Sequence, residues 1–291
     1  MAFHWSLEDD DVGAGFLRIA REQIARAMAG AENGQEPAER RIHEARRRCK
    51  KLRALFRIVR PDFSAWQSEN AFVRDAARGL SQARDLQVAR NTLAELMDRP
   101  QDAAASGPDD PAAPATQDEA LRRFAGRMRE LQARTTSWKV EDIGLETLSK
   151  GLKQTYRAAR RNRRIAERRG TDEAFHDWRK FAKYHWNQLG LLEKCAPDVL
   201  PPARHAAGEL AEMLGLHHDL AILEAMLASG ADDLAAGLDQ GLLAGAIARR
   251  RAELEDRIRN LGQQVFAERP KALKARFDAY LANWTGAEKA G

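Results

Sequence analysis

Two cysteines in 291 residues, Cys49 and Cys195, are too few for a disulfide framework, and their spacing fits no CxxC-type metal motif. Both read as free thiols, buried or half-buried, in a chain suited to a reducing cytoplasm. No apolar run reaches 18 residues, so no membrane span and no membrane partner are expected. Residues 1–11 offer neither a basic n-region nor an apolar h-region, which argues against a secretory signal. β-branched residues are scarce and no stretch alternates apolar with polar, so sheet has little to form from. Phosphate-binding glycine loops, nucleophile elbows, zinc motifs and catalytically spaced carboxylate pairs are missing too. The expectation is a protein without enzymatic activity and without a cofactor.

Positive charge is present in quantity, and unevenly. The net charge is only +5, yet residues 40–60 hold ten Lys/Arg against one acid, Glu44, and residues 150–183 hold twelve against four. The remainder of the chain is therefore net acidic. Such an uneven distribution reads as a local footprint for an anion rather than as general solubility tuning.

Ala, Leu, Arg and Glu in amphipathic spacing predict an all-α protein. A first helix starts near residue 12 and ends at Asn33-Gly34, and a second follows Pro37 and closes at Arg60-Pro61. Ser64-x-x-Gln67 forms the pattern of a capping box and predicts one long third helix to about residue 97. Residues 100–117, built from Pro, Ala, Asp, Gly and Ser, read as a disordered, linker-like loop. Thr116-x-x-Glu119 then caps a fourth helix over about 120–134. Beyond it come helices over about 145–168, 173–194 and 202–228, and one or two more over 234–284 with Pro270 at a start.

The second half repeats the first. Ile42, Ala45, Cys49, Leu52, Phe56 and Val59 step by three and four like a core-facing stripe, and a shift of 133 residues leads to Phe175, Trp178, Ala182, His185, Leu189 and Leu192. The same shift carries His43, Arg46, Arg47 and Lys50 onto His176, Arg179, Lys180 and Lys183. A shift of 134 relates Leu80, Asp85, Leu86 and Leu93 to Leu214, Asp219, Leu220 and Leu227. Two pseudo-twofold related antiparallel bundles of about four helices each, 1–137 and 138–291, made by internal duplication, are the economical reading.

On a helix, His43, Arg46, Arg47, Lys50, Arg53 and Arg57 share a sector about 120° wide that borders the apolar stripe. Like charges at i+3 and i+4 repel, so an uninterrupted row beside a packed face marks a surface on which an anion rests. Arg157, Arg160, Arg161 and Arg164, extended by Arg168, repeat the spacing a third time without histidine. Arginine forks, mobile lysine charges and histidine donors suit phosphate oxygens, and rows of this length suit an extended ligand better than one phosphate. Asp85 and Asp219 are read as carboxylates that orient the basic rows. Metal is not expected: His217 and His218 are adjacent and diverge by about 100° on a helix. A site would need His43, His176 and His217 brought together by tertiary contact. His185, on the apolar stripe, reads as a satisfied core histidine, and Trp178, Trp186 and Phe181 as core residues.

The segments His43-Glu-Ala-Arg-Arg-Arg-Cys-Lys and His176-Asp-Trp-Arg-Lys-Phe-Ala-Lys, followed about 40 residues later by Arg84-Asp85-Leu86 and His218-Asp219-Leu220, resemble the conserved histidine α-helical domain, CHAD. The resemblance covers nearly the whole chain, including Tyr156-Arg157 at the start of the third row. It implies paired helical bundles, a basic central groove, binding of inorganic polyphosphate and, in bacteria, association with polyphosphate granules in the cytoplasm. Many members carry a fused CYTH triphosphate tunnel domain, marked by a Glu-x-Glu-x-Lys strand. This sequence has no such strand, which speaks against phosphohydrolase activity. The second row is also leaner, because the 133-residue shift takes Arg53 to Trp186 and Arg57 to Gly190. Nucleic acid is the competing polyanion, though neither an aromatic stacking platform nor Asn/Gln base-readers stand among the arginines.

Overall fold

The computed structural model describes residues 3–80, 85–97, 113–229 and 238–286. Those residues form ten α-helices and no strand: α1 (Val12–Glu32), α2 (Ala38–Val59), α3 (Trp66–Arg78), α4 (Asp85–Leu96), α5 (Ala113–Arg134), α6 (Leu145–Arg169), α7 (Asp172–Leu192), α8 (Leu200–Ser229), α9 (Gln240–Val265) and α10 (Pro270–Gly286). Short 3-10 turns follow α5 at Thr135–Ser137 and α7 at Glu193–Cys195. Among the described residues no helix is long and apolar enough to cross a membrane.

Local chemistry sets most of the helix ends. The Asp11 carboxylate accepts from the Ala14 amide at 2.7 Å and opens α1. Pro37, at φ −55°, precedes α2. Thr147 Oγ1 accepts from the Gly144 amide at 3.0 Å at the start of α6. Gly170 ends that helix in the left-handed region at φ 63°, donating its amide to the Ala166 carbonyl. Thr171 then caps α7 by accepting from the Ala174 amide at 3.3 Å.

Two sequence expectations fail here. The single helix over 64–97 is two helices, because α3 stops at Gly79, whose amide folds back to the Asp75 carbonyl, and α4 starts at Asp85. Glycine interrupts a helix cheaply, and the break lets the halves part: α3 packs on α2 and α5, α4 on α8. Ser64 and Gln67 form no capping box; α3 opens after Ala65 without a side-chain cap, the Trp66 amide donating to the Phe63 carbonyl at 3.1 Å. At the other site, α5 begins three residues before Thr116, so 113–117 of the expected loop are helical. Pro114 sits in the first turn, where the amide it lacks has no helical partner anyway. The loop's remainder, through 112, lies outside the described residues, as do 230–237.

A single apolar cluster runs through both halves of the chain. Phe16, Phe56 and Phe63 of the first and Trp138, at the very start of the second, pack with ring centroids 5.0 to 6.2 Å apart, mostly edge-on. In the second, Trp178 is completely buried and Tyr156 packs on Phe266 at 5.3 Å. The halves meet where α2 lies against α6 and α7 and where α4 lies against α8. At the α2–α6 crossing the backbones touch: a β-carbon on Gly151 would lie 1.8 Å from the Ile58 carbonyl oxygen. Cys49 and Cys195 are free and buried, and burial pushes both thiols up to about 12. Neither is a ready nucleophile.

Candidate functional site: the basic rows of α2, α6 and α7

The apolar stripe of α2 faces the core, with Ile42, Ala45, Cys49, Leu52, Phe56 and Val59 all buried. Its basic row stands at the stripe's border. Arg46, Lys50, Arg53 and Arg57 are half-buried, and His43 and Arg47 are exposed. Past the second turn the row is held between α3 and α7. Arg53 Nε donates to Asn70 Oδ1 at 3.2 Å. The Arg57 guanidinium lies over three aromatic faces: Tyr184 at 4.4 Å, Phe181 at 5.5 Å and Trp66 at 5.9 Å. Arg60 continues the line, over Trp66 at 5.6 Å and donating to Gln154. Burial, outweighing the opposing effect of Tyr184, pulls the Arg53 pKa below the usual guanidinium value, and the charges of Arg57 and Arg74 add to this. Arg60 is lowered the same way, by burial and then by Arg57.

On α7 the row borders α8. A β-carbon on Gly215 of α8 would lie 3.7 Å from Arg179 Nε. The His176 ring packs on His218 of α8, with centroids 4.5 Å apart. Burial lowers the His176 pKa to about 4, with His218, Lys180 and Arg179 adding to the shift, so the ring is neutral at pH 7. On the other side of the same helix Gln188 donates to the Ala54 carbonyl of α2 at 3.2 Å, and Phe181 and Tyr184 reach Arg57. Packing thus sets the distal α2 row at the α2–α7 seam and the α7 row on the α8 side of the same helix.

The outermost member of each row is tied to an acid on its own helix. Arg47 Nε donates to Glu44 at 2.7 Å, and Lys180 Nζ to Asp177 at 2.9 Å. Burial raises the Glu44 pKa, but hydrogen bonds and charge from Arg47 and Arg48 outweigh it, and the net shift is downward. Asp219 is half-buried on α8, next to His218. Asp85 begins α4, and its side chain lies outside the described residues, as does Arg84.

The third row is not brought to this seam. Arg157, Arg161 and Arg164 are exposed and Arg160 is half-buried. At 100° per residue the row is centred about 160° around α6 from its buried stripe of Leu148, Leu152, Ala159 and Ala166.

The histidines separate. His217 is buried, with Nε2 3.1 Å from Glu255 and its ring stacked on Phe175 at 4.3 Å, while His176 meets His218. Among the described residues no group of three or more His, Cys, Asp or Glu is placed to hold a metal ion. His185 is in the core as expected, but it is not satisfied: Nδ1 has no hydrogen-bond partner, and the ring lies 5.2 Å from Tyr156 and 5.7 Å from Phe266 beside a cavity of about 310 Å³. Its place on the stripe gave the burial, but nothing local showed that apolar and aromatic side chains would surround it. Trp178 is core, and Trp186 is half-buried against Gly208 of α8. Phe181 instead faces Arg57, and Trp66, Asn70 and Tyr184 around it were not anticipated. These come from two helices, α3 and α7, so no local spacing linked them to Arg57.

A family description, "CHAD domain", matches residues 16–228 of the chain. A crystal structure of the CHAD domain from the plant Ricinus communis is similar, with a TM-score of 0.56 at 21% identity, covering 95% of this chain and 93% of that one. At that identity the likeness speaks for the fold alone. No curated protein matches the sequence.

Proposed function

The chain belongs to the CHAD domain family, and on that premise we propose that it binds inorganic polyphosphate in a groove floored by α2 and α7. What supports this reading is the direct packing of α2 on α7, each with its own basic row: Arg46, Lys50, Arg53 and Arg57 on α2, and His176, Arg179 and Lys183 on the α8 side of α7. From His43 to Arg57 the α2 row runs about 21 Å, long enough for several successive phosphates. Arginines present forked donors to phosphate oxygens and lysines add mobile charge. Glu44 and Asp177 engage the outermost cation of each row, away from the seam. Asp219, and Asp85 by its position in sequence, would orient these cations. On this reading the site holds and orients the chain without cleaving it. In the cell such binding would draw the protein to polyphosphate granules in the cytoplasm.

Isothermal titration with long-chain polyphosphate should show binding that weakens steeply as salt is raised, since each neutralised phosphate releases counterions. The variant Arg46→Gln/Arg47→Gln/Lys50→Gln should bind much more weakly with unchanged helical circular dichroism. A wild-type chain with no affinity at moderate salt would sink the reading, and loss of helicity in the variant would assign the row to folding. Nucleic acid is the weaker candidate. The aromatic faces nearest the row, Trp66, Phe181 and Tyr184, are covered by Arg57 and Arg60, which leaves bases no stacking platform there. Polyphosphate should displace DNA at far lower phosphate concentration.

A further inference from the structure

Between Lys153 and Arg168, six cations, Lys153, Arg157, Arg160, Arg161, Arg164 and Arg168, fall in a sector of α6 about 100° wide and about 22 Å long. Four of them, Arg157, Arg161, Arg164 and Arg168, are exposed. Among the described residues none of the six is in an ion pair. The one acid in this stretch, Glu167, is engaged by Arg163 at 2.8 Å, off the sector. A solvated helix face of this length ordinarily mixes signs, and this one does not.

Its direction is the informative feature. α2 crosses α6 at Gly151, about 130° around the helix from the centre of this sector, and α7 packs on a flank, where Tyr156, about 90° from that centre, meets His185. On α7, His185 in turn lies about 150° around the helix from His176, Arg179 and Lys183. The α6 face therefore turns away from the α2 crossing, and the α7 row turns away from α6. A single extended strand lying in the seam does not reach the α6 face without wrapping around the molecule.

We infer that the α6 face is a second, independent polyphosphate-binding surface, so that one protein molecule bridges two polyphosphate chains and condenses them. This rests on the polyphosphate reading of the α2–α7 seam. The chemistry favours that partner over a membrane, since none of the exposed large apolar side chains of the described residues lies on α6 to enter a bilayer. Its i, i+3, i+4, i+7 spacing at Arg157, Arg160, Arg161 and Arg164 is also that of His43, Arg46, Arg47 and Lys50 on α2.

The test mixes two pools of long-chain polyphosphate, one labelled with a donor fluorophore and one with an acceptor, with the full-length protein. The native chain should produce energy transfer between pools and rising light scattering. Arg157→Gln/Arg161→Gln/Arg164→Gln should still bind a single labelled chain by anisotropy but lose the energy transfer. Native protein that binds polyphosphate without transfer between pools overturns bridging and leaves the seam reading standing. Undiminished transfer in the variant, or loss of single-chain binding together with transfer, overturns the independence of the α6 face. Native protein with no affinity for either pool removes both the seam reading and the bridge.

Discussion

Over the first two turns of their basic rows α2 and α7 carry the same chemistry in the same order: a histidine, an arginine three residues on, a cation tied to an acid of its own helix, then a lysine. After that they diverge. α2 continues with Arg53, Arg57 and Arg60, whereas α7 carries Trp186 and Gly190 at the matching places and packs both toward α8, against Gly208 and Arg204. The second helix is not simply a depleted copy. Its Phe181 and Tyr184 supply two of the aromatic faces over which Arg57 lies. One helix contributes the distal cations and the other the surface that holds them, so guanidiniums that repel one another in the free chain stay fixed in the fold. The difference teaches that the two rows form one divided structure, in which each half depends on how the other is seated.

The seating can be broken at two glycines, one under each helix. Gly151 lets α6 touch the α2 backbone, and Gly262 of α9 receives Trp178 of α7, a β-carbon there falling 2.6 Å from the indole. The Ile58 carbonyl oxygen cannot swing aside as a side chain can. Gly151→Ala should therefore destabilise by more than about 3 kcal/mol and Gly262→Ala by about 1 to 3 kcal/mol, read from urea denaturation midpoints. Equal losses would mean that the α2–α6 crossing relaxes as readily as a core indole.

A second contrast lies in the stripes behind the rows, where Leu52 of α2 corresponds to His185 of α7. Burial, with a smaller effect of Arg276, depresses the His185 pKa from 6.5 to about 3. A histidine depressed in the fold takes up protons more readily when unfolded. Stability is therefore full above pH 6.5 and falls as pH drops from there toward 3. Between pH 6.5 and 5 the loss is about 2 kcal/mol for this one group. His185→Leu, which gives α7 the residue α2 already has, should flatten the pH dependence of the denaturation midpoint over that range. His176, depressed to about 4, adds a slope of the same sign that this variant keeps. An unchanged slope in His185→Leu would show that the buried imidazole is not the titrating group.

Much of this was legible in the chain, and the limits have physical causes. The all-helical fold follows from periodicity, and several boundaries from single residues: Asn33, Pro37 and Pro61 act within a turn of where they stand. The α2 and α7 rows were visible because i, i+3 and i+4 spacing is local. The break between α3 and α4 was not, since a lone Gly79 becomes a helix end only when α4 has α8 to pack against. The start of α5 was misjudged because Pro114, which reads as loop, also suits a first turn. The direction of the α6 arginines was hidden for another reason. Leu148, Leu152 and Ala159 give the buried face, but which helix covers it, and what that helix carries on its far side, is set by contacts distant in sequence. The surroundings of Arg57 were invisible likewise, since Trp66 of α3 converges there with Phe181 and Tyr184 of α7.

The finest division runs within each row. Arg47 and Lys180 belong to the sequence pattern as fully as Arg46 and Arg179, yet both are exposed and each is hydrogen-bonded to an acid one turn back on its own helix. Binding phosphate with either means competing with Glu44 or Asp177, and an exposed pair of this kind contributes only about 0 to 1 kcal/mol to stability. Arg46 and Arg179 are half-buried, and a charged hydrogen bond from either to a phosphate is screened less. Under the polyphosphate reading, Arg47→Ala and Lys180→Ala should each change affinity by less than about threefold, and Arg46→Gln and Arg179→Gln by about tenfold or more. Titration calorimetry at one fixed salt concentration ranks all four. If the exposed pair matters as much as the half-buried pair, the ligand lies across the outer margins of the rows, and the seam between α2 and α7 is not its floor.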